Sequence, residues 1–168
     1  FFISVALIIM CCNKLHSQGK INKDSLVNEL QTMKDDTSKV KLLRDLCSDL
    51  RLSEPQKAIE YGEKGISLSE KINFQKGKSE CLHEIGVVHY YQGQYDKSLE
   101  KYLSALKILE EKTDTANADT KKLIADNLHD IGKVYYRQQQ FEKALNSYEQ
   151  ALVIYKQVNY KSGISTCL

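Results

Sequence analysis

Two dipeptides hold the residue types that acid–base or metal chemistry would use, His83-Glu84 and His129-Asp130. An imidazole beside a carboxylate can move a proton, and two such pairs could in principle ligate zinc. They stand 46 positions apart in matching surroundings, which assigns them to equivalent helices of adjacent repeats. Such helices lie roughly 10 Å apart, whereas zinc ligands sit about 2 Å from the ion. A shared metal is therefore not expected, and the histidines are read as lining a surface or packing. The chain has no GxxxxGK[ST], HExxH or GxSxG, the signatures of phosphate loops, metalloproteases and hydrolases. No catalytic residue, cofactor or metal is expected.

The five cysteines (Cys11, Cys12, Cys47, Cys81, Cys167) show no CxxC spacing. Cys81 and Cys167 occupy the same point of first helices separated by a whole repeat, so they should be too far apart for a disulfide, which needs Cα atoms about 6 Å apart. They are expected as free, mostly buried thiols.

The elements that position these residues are visible in the repetition. Leu82 to Glu111 aligns with Leu128 to Gln157, superposing Ile85 on Ile131, Gly86 on Gly132, Tyr90 on Tyr136, Tyr95 on Phe141, Tyr102 on Tyr148 and Ala105 on Ala151. A more worn copy ends in Pro55 to Ile72, with Ala58 matching Ser98 at a spacing of 40. Each copy reads as two amphipathic helices. In the middle copy Leu82, Ile85, Val88 and His89 form one stripe, and Leu99, Tyr102, Leu103, Leu106 and Leu109 the other. Gln92-Gly93-Gln94 breaks them, with Gly93 free to take the left-handed conformation that ends a helix. Pro55 suits a helix start, where its missing N–H is harmless. Asp24 to Lys34 reads as a lead-in helix, and the polar Lys112 to Thr120 accounts for the six extra residues of the longer period. Self-similarity at this period means a solenoid of helical hairpins.

Composition agrees. The 168 residues include one proline, no tryptophan and ten tyrosines, so long uninterrupted helices are favoured over proline-punctuated sheets. With 24 basic against 22 acidic residues and a net charge of +2, the balance argues against a dedicated electrostatic nucleic-acid binder, and no nucleic-acid partner is expected.

The pattern resembles the tetratricopeptide repeat family. The resemblance rests on Leu-x-x-Ile-Gly in each first helix (Leu82, Ile85, Gly86; Leu128, Ile131, Gly132), then Tyr95 or Phe141, Ser98 or Ala144, Tyr102 or Tyr148, and Ala105 or Ala151. These are the expected repeat-packing residues, with glycine and alanine admitting close approach and the large side chains filling the remainder. Three departures stand out: His89 replaces the family's Tyr late in the first helix, Gln139 stands at the place of Gly93, and Leu46 at that of Gly86. The last puts close packing of the first copy in question.

The resemblance implies an all-α fold, a right-handed α-solenoid of antiparallel helix pairs. Its expected segments are a lead-in helix at 20–35, a degenerate repeat at 36–75, repeats at 76–116 and 117–158, and the start of a further, truncated repeat at 159–168. First helices are expected to line a concave face that binds a protein or peptide. The candidates there are His83, Val87, Tyr90, Tyr91, His129, Lys133, Tyr136 and Arg137, and, in the worn copy, Arg44, Cys47 and Arg51. The alternative for Tyr90 and Tyr136 is that they cap the core between repeats. Lys133 and Arg137 form an i, i+4 basic pair able to meet a carboxylate.

Phe1 to Cys12 is apolar at every position but Ser4 and shorter than a membrane span. It reads as the core of a signal peptide over 1–19 whose charged leader is missing, with the mature chain starting near Lys20. Acylation of Cys11 or Cys12 is the alternative, disfavoured by bulky Met10; an ordinary buried strand is another. Export and the long period are similar to the extracytoplasmic arrays of bacterial sensor histidine kinases, an analogy of architecture. On that reading a membrane is reached only through a missing downstream segment or a lipid anchor. A free-standing exported scaffold is the rival, and an enzyme the third class.

Overall fold

The computed structural model describes residues 30–167 and divides the chain into two units, Phe1–Lys34 and Asp35–Leu168. Among the described residues of the first unit, 30–32 are helical, with Leu30 buried. The signal-peptide reading of 1–19, most of the lead-in helix, Cys11 and Cys12 fall outside the described residues.

The second unit runs α1 (Thr37–Leu50), α2 (Pro55–Lys71), α3 (Gln75–Tyr91), α4 (Tyr95–Lys112), α5 (Ala118–Arg137), α6 (Phe141–Gln157) and α7 (Lys161–Thr166). All regular structure among the described residues is helical, and none of these helices is long and apolar enough to cross a membrane. Sequence sets their ends. Asp36 caps α1 by accepting from the Ser38 and Lys39 amides at 2.8 and 3.2 Å, and Asn117 caps α5 in the same way through Asp119 and Thr120. Pro55 takes the first turn of α2.

Tight turns connect the helices. Asn73, Gly93, Gln139 and Asn159 each adopt positive φ, between 55° and 72°. Each sits in a turn whose next residue donates its amide back to an earlier carbonyl of the helix, as Gln94 does to that of His89 at 2.9 Å and Gln140 to that of Tyr135 at 2.9 Å. The turn geometry is thus kept where glycine is not. The longer period is shared out: α5 has 20 residues against 17 in α3, and the rest lies in α4 and the five-residue connection to α5.

Consecutive helices pack together, and the first helices also pack side by side, α1 on α3 and α3 on α5. The core therefore lies between pairs as much as within them. One cluster joins Cys47 and Leu50 of α1, Ala58 of α2, and Ile85 and Val88 of α3. The next joins Tyr102 of α4 to Ile131 and Val134 of α5. The third joins Ala125, Ala151 and Tyr155, with Tyr160, Ile164 and Cys167 against them. The result is an α-solenoid of helix pairs.

Glycine and tyrosine form the joint inside each later pair. A Cβ at Gly86 would lie 2.7 Å from the Tyr102 ring, and one at Gly132 2.7 Å from that of Tyr148. The first pair solves the same problem with the sizes exchanged. Leu46 holds the place of Gly86 and Gly62 that of Tyr102, and a Cβ on Gly62 would meet Ile85 at 2.5 Å and the Cys47 sulfur at 3.2 Å. Close approach survives there through a glycine on the second helix. Leu103, expected on the buried stripe of α4, is exposed, whereas Leu109 and Tyr102 are fully buried. Phe141 is also exposed, although its equivalent Tyr95 packs against the second cluster.

Candidate functional site on the first helices

Every first helix shows one face to its own second helix and an edge to the neighbouring first helix, so the side chains between α3 and α5 meet across the repeat boundary. His83 Nε2 lies 3.0 Å from Asp130 Oδ2, and Lys133 donates to Asp130 Oδ1 at 2.9 Å. His129 Nδ1 lies 3.4 Å from the same carboxylate. The two histidines are thus divided: His83 joins the repeats, while His129 stays with its own neighbour Asp130. Each also lies over the ring of its own pair, His83 at 5.2 Å from Tyr102 and His129 at 5.4 Å from Tyr148. Those are the rings that Gly86 and Gly132 accommodate.

Electrostatics fix the protonation of this seam. Burial disfavours charge on His83, but the hydrogen bond to Asp130 and the nearby Glu84 carboxylate outweigh it and lift its pKa to about 10. Burial likewise opposes ionisation of Asp130, yet hydrogen bonds from His129 and His83 and the Lys133 charge hold it well below the usual carboxylate range. The seam is a cation–anion contact at neutral pH.

Of the remaining candidates, Val87 and Tyr90 pack against the Tyr102 cluster, and Lys133 Nζ stands 5.0 Å over the Tyr90 ring. The exposed members gather at the C-terminal ends of the first helices. Tyr91 is 55% exposed with the Arg51 guanidinium 5.9 Å from its ring, and Tyr136 is 58% exposed beside Phe141 at 5.6 Å. Arg137 donates Nε to the Tyr95 hydroxyl at 3.0 Å and lies 5.8 Å over that ring. Cys47 does not belong on this face. It is fully buried among Leu50, Ala58 and Ile85, because its side of α1 turns toward α2 and α3.

A second feature lies nearer the helix starts. A cleft of about 250 Å³ is lined by Arg44, Asp45 and Ser48 of α1, Ser79, Glu80, His83 and Glu84 of α3, and Leu123, Asp126 and Asn127 of α5. Arg44 pairs with Asp45 at 2.6 Å and Glu80 at 3.1 Å. The signal for this cleft was in the repeat register: Glu80 and Asp126 stand 46 positions apart, as do Glu84 and Asp130. Among the described residues, no group of three or more His, Cys, Asp or Glu side chains is placed to hold a metal ion.

The tetratricopeptide repeat pattern matches residues 79–112 and 125–158, which lie in α3 to α6. The solved structure of a kinesin light chain-like protein from Podosopora anserina, with nearly identical TPR-like repeats, is similar at TM-score 0.60 and 14% identity, over 92% of this chain and 73% of that one. A single-residue variant of that protein gives 0.61 and 14%, with the same coverage. BtubC (BKLC) from P. vanneervenii is similar at TM-score 0.58 and 17% identity, over 80% of this chain and 53% of that one. At these identities the likeness is one of fold. No curated protein matches the chain. Residues 79–112 and 125–158 thus match the tetratricopeptide repeat model, within an α-solenoid of helix pairs.

Proposed function

We propose that the chain is a non-catalytic binding module that captures a protein segment along the C-terminal edge of its first helices. The supporting observation is the convergence there of exposed Tyr91 and Tyr136 with Arg51, Lys133 and Arg137. Exposed aromatic rings supply contact area at low entropic cost, and guanidinium groups supply directional donors. Arg51 and Arg137 already lie against tyrosines, so a partner carboxylate meets cations held in place. An extended or helical peptide with acidic and apolar side chains fits this edge.

A library of immobilised peptides probed with the 168-residue chain tests the reading. Bound sequences should lose at least about tenfold in affinity, or about 1.4 kcal/mol, against a Tyr136→Ala, Arg137→Ala double variant. Both positions are exposed, so the fold should persist by circular dichroism. Absence of any bound peptide, or binding untouched by the variant, overturns it.

In the cell, we read the chain as the exported, extracytoplasmic repeat region of a larger signalling protein of the sensor histidine kinase type, with repeats at 36–75, 76–116 and 117–158 and another begun at 159–168. The apolar Phe1 to Cys12 segment motivates the export reading. The native coding sequence from its own start codon through residue 35, fused to alkaline phosphatase lacking its own leader, should give periplasmic activity, and enzyme confined to the cytoplasm would refute export. A membrane helix and kinase domain encoded beyond Leu168 would support the sensor; a stop codon after the last repeat would favour the free-standing scaffold.

A further inference from the structure

The cleft between α1, α3 and α5 has an unfilled acceptor at its base. Asn127 is 1% exposed; its Nδ2 donates to the Leu123 carbonyl at 2.8 Å, and its Oδ1 has no hydrogen-bond partner among the described residues. Turning the amide over would set oxygen against the Leu123 carbonyl oxygen, so the bond to Leu123 fixes which atom is left over. A buried carbonyl without a donor is costly enough to call for an explanation.

The donors lining the same cleft turn to other acceptors. Arg44 bonds Asp45 and Glu80, His83 meets Asp130, and the Ser79 hydroxyl donates to the Ala105 carbonyl. Ser48 is engaged with Arg51 and Glu84. Acceptors remain in surplus. The lining holds four carboxylates, Asp45, Glu80, Glu84 and Asp126, against two cations, Arg44 and His83. Lys122 and the Tyr155 hydroxyl each reach Asp126 at 2.8 Å, and the Arg51 charge acts on Glu84, so the surplus is one of hydrogen-bond acceptors rather than of net charge. Each carboxylate can accept more hydrogen bonds than it receives here.

We infer that this cleft binds a primary ammonium group, in the form of a lysine side chain of the bound protein segment. An ammonium carries three donors and no acceptor, so it answers both the surplus of acceptors and the orphaned Asn127 oxygen. Its compact charge on a four-carbon stem suits a narrow cleft with Leu123 in its wall. The inference rests on the peptide-binding reading above and adds a basic residue to the partner, set apart from the acidic and apolar ones that meet the Tyr136 and Arg137 edge.

The test uses the intact chain labelled with ¹⁵N and n-butylammonium chloride as the probe, with butanol and sodium chloride as controls. The Asn127 side-chain amide should shift saturably with butylammonium and not with either control. Glu80→Gln and Glu84→Gln, each checked for an unchanged melting profile, should each weaken the saturation about tenfold. Equal shifts with butanol, or none before sodium chloride moves the same peak, overturn the site. Either variant, if folded, suffices should the other not fold. Failure here with peptides still captured leaves the binding module standing without this cleft. Saturation here with no peptide captured keeps the ammonium site and removes the edge.

Discussion

At the scale of single residues the seam between α3 and α5 carries the clearest prediction. His83 keeps its proton to about pH 10 when folded, against about 6.5 in an unfolded chain. Its stabilisation is therefore complete below pH 6.5 and drains away as pH rises toward 10. Asp130, held low, contributes above the ordinary carboxylate range and loses its contribution as pH falls through and below it. The melting-temperature gap between the wild type and His83→Gln should be widest at about pH 5 to 6 and should close by about pH 10. A gap independent of pH would mean that the contact is not ionic. Gly86→Ala drives a methyl into Tyr102, which is 1% exposed and cannot retreat. Overpacking of about 1–3 kcal/mol outweighs the gain of about 1 kcal/mol in helix propensity. Gly132→Ala meets Tyr148, which is only half-buried and can give way, so urea denaturation should show the smaller loss. Equal losses would locate the strain elsewhere.

At the scale of helices and turns, the left-handed residue decides where each hairpin closes. Gln139 holds φ 61° where Gly93 holds 72°, so a side chain is carried in a conformation that disfavours it. Gln139→Gly should stabilise the chain by about 0.5–1 kcal/mol, the relief being partly offset by the freer unfolded backbone. A loss of stability would show that the Gln139 side chain contributes more than its strain costs. These elements were legible in the sequence, because the repeated spacing of Leu82, Ile85 and Gly86 with Leu128, Ile131 and Gly132 fixes both the helix period and the pairing. The site was less so. Tyr91, Tyr136 and Arg137 follow from register, but whether Val87 or Tyr90 faces a partner depends on how far α5 closes over α3. The Asn127 oxygen is orphaned only because of where its own helix places Leu123, and no period announces that.

At the scale of the whole second unit, stability is a chain of nearest-neighbour interfaces. Cys47 and Cys81 lie inside those interfaces, and burial first, then nearby acidic charge, pushes their thiols up to about 12. Cys167 is only partly covered. Iodoacetamide followed by mass spectrometry should modify Cys167 quickly in the native chain and leave Cys47 and Cys81 until the stack opens, so their labelling rate reads that opening. Labelling of Cys47 as fast as Cys167 would mean that the first pair is not docked as described.

The exchanged sizes at the first joint bear on how such an array can be recombined. A hybrid taking its first helix from the α1–α2 hairpin and its second from α3–α4 would set Leu46 toward the ring of Tyr102. The opposite hybrid would set Gly86 toward Gly62 and leave a void about the size of that ring. Whole hairpins can be duplicated, deleted or shuffled with their joints intact, whereas single helices cannot. Recombination that trades helix pairs keeps the joint, and recombination that splits them breaks it.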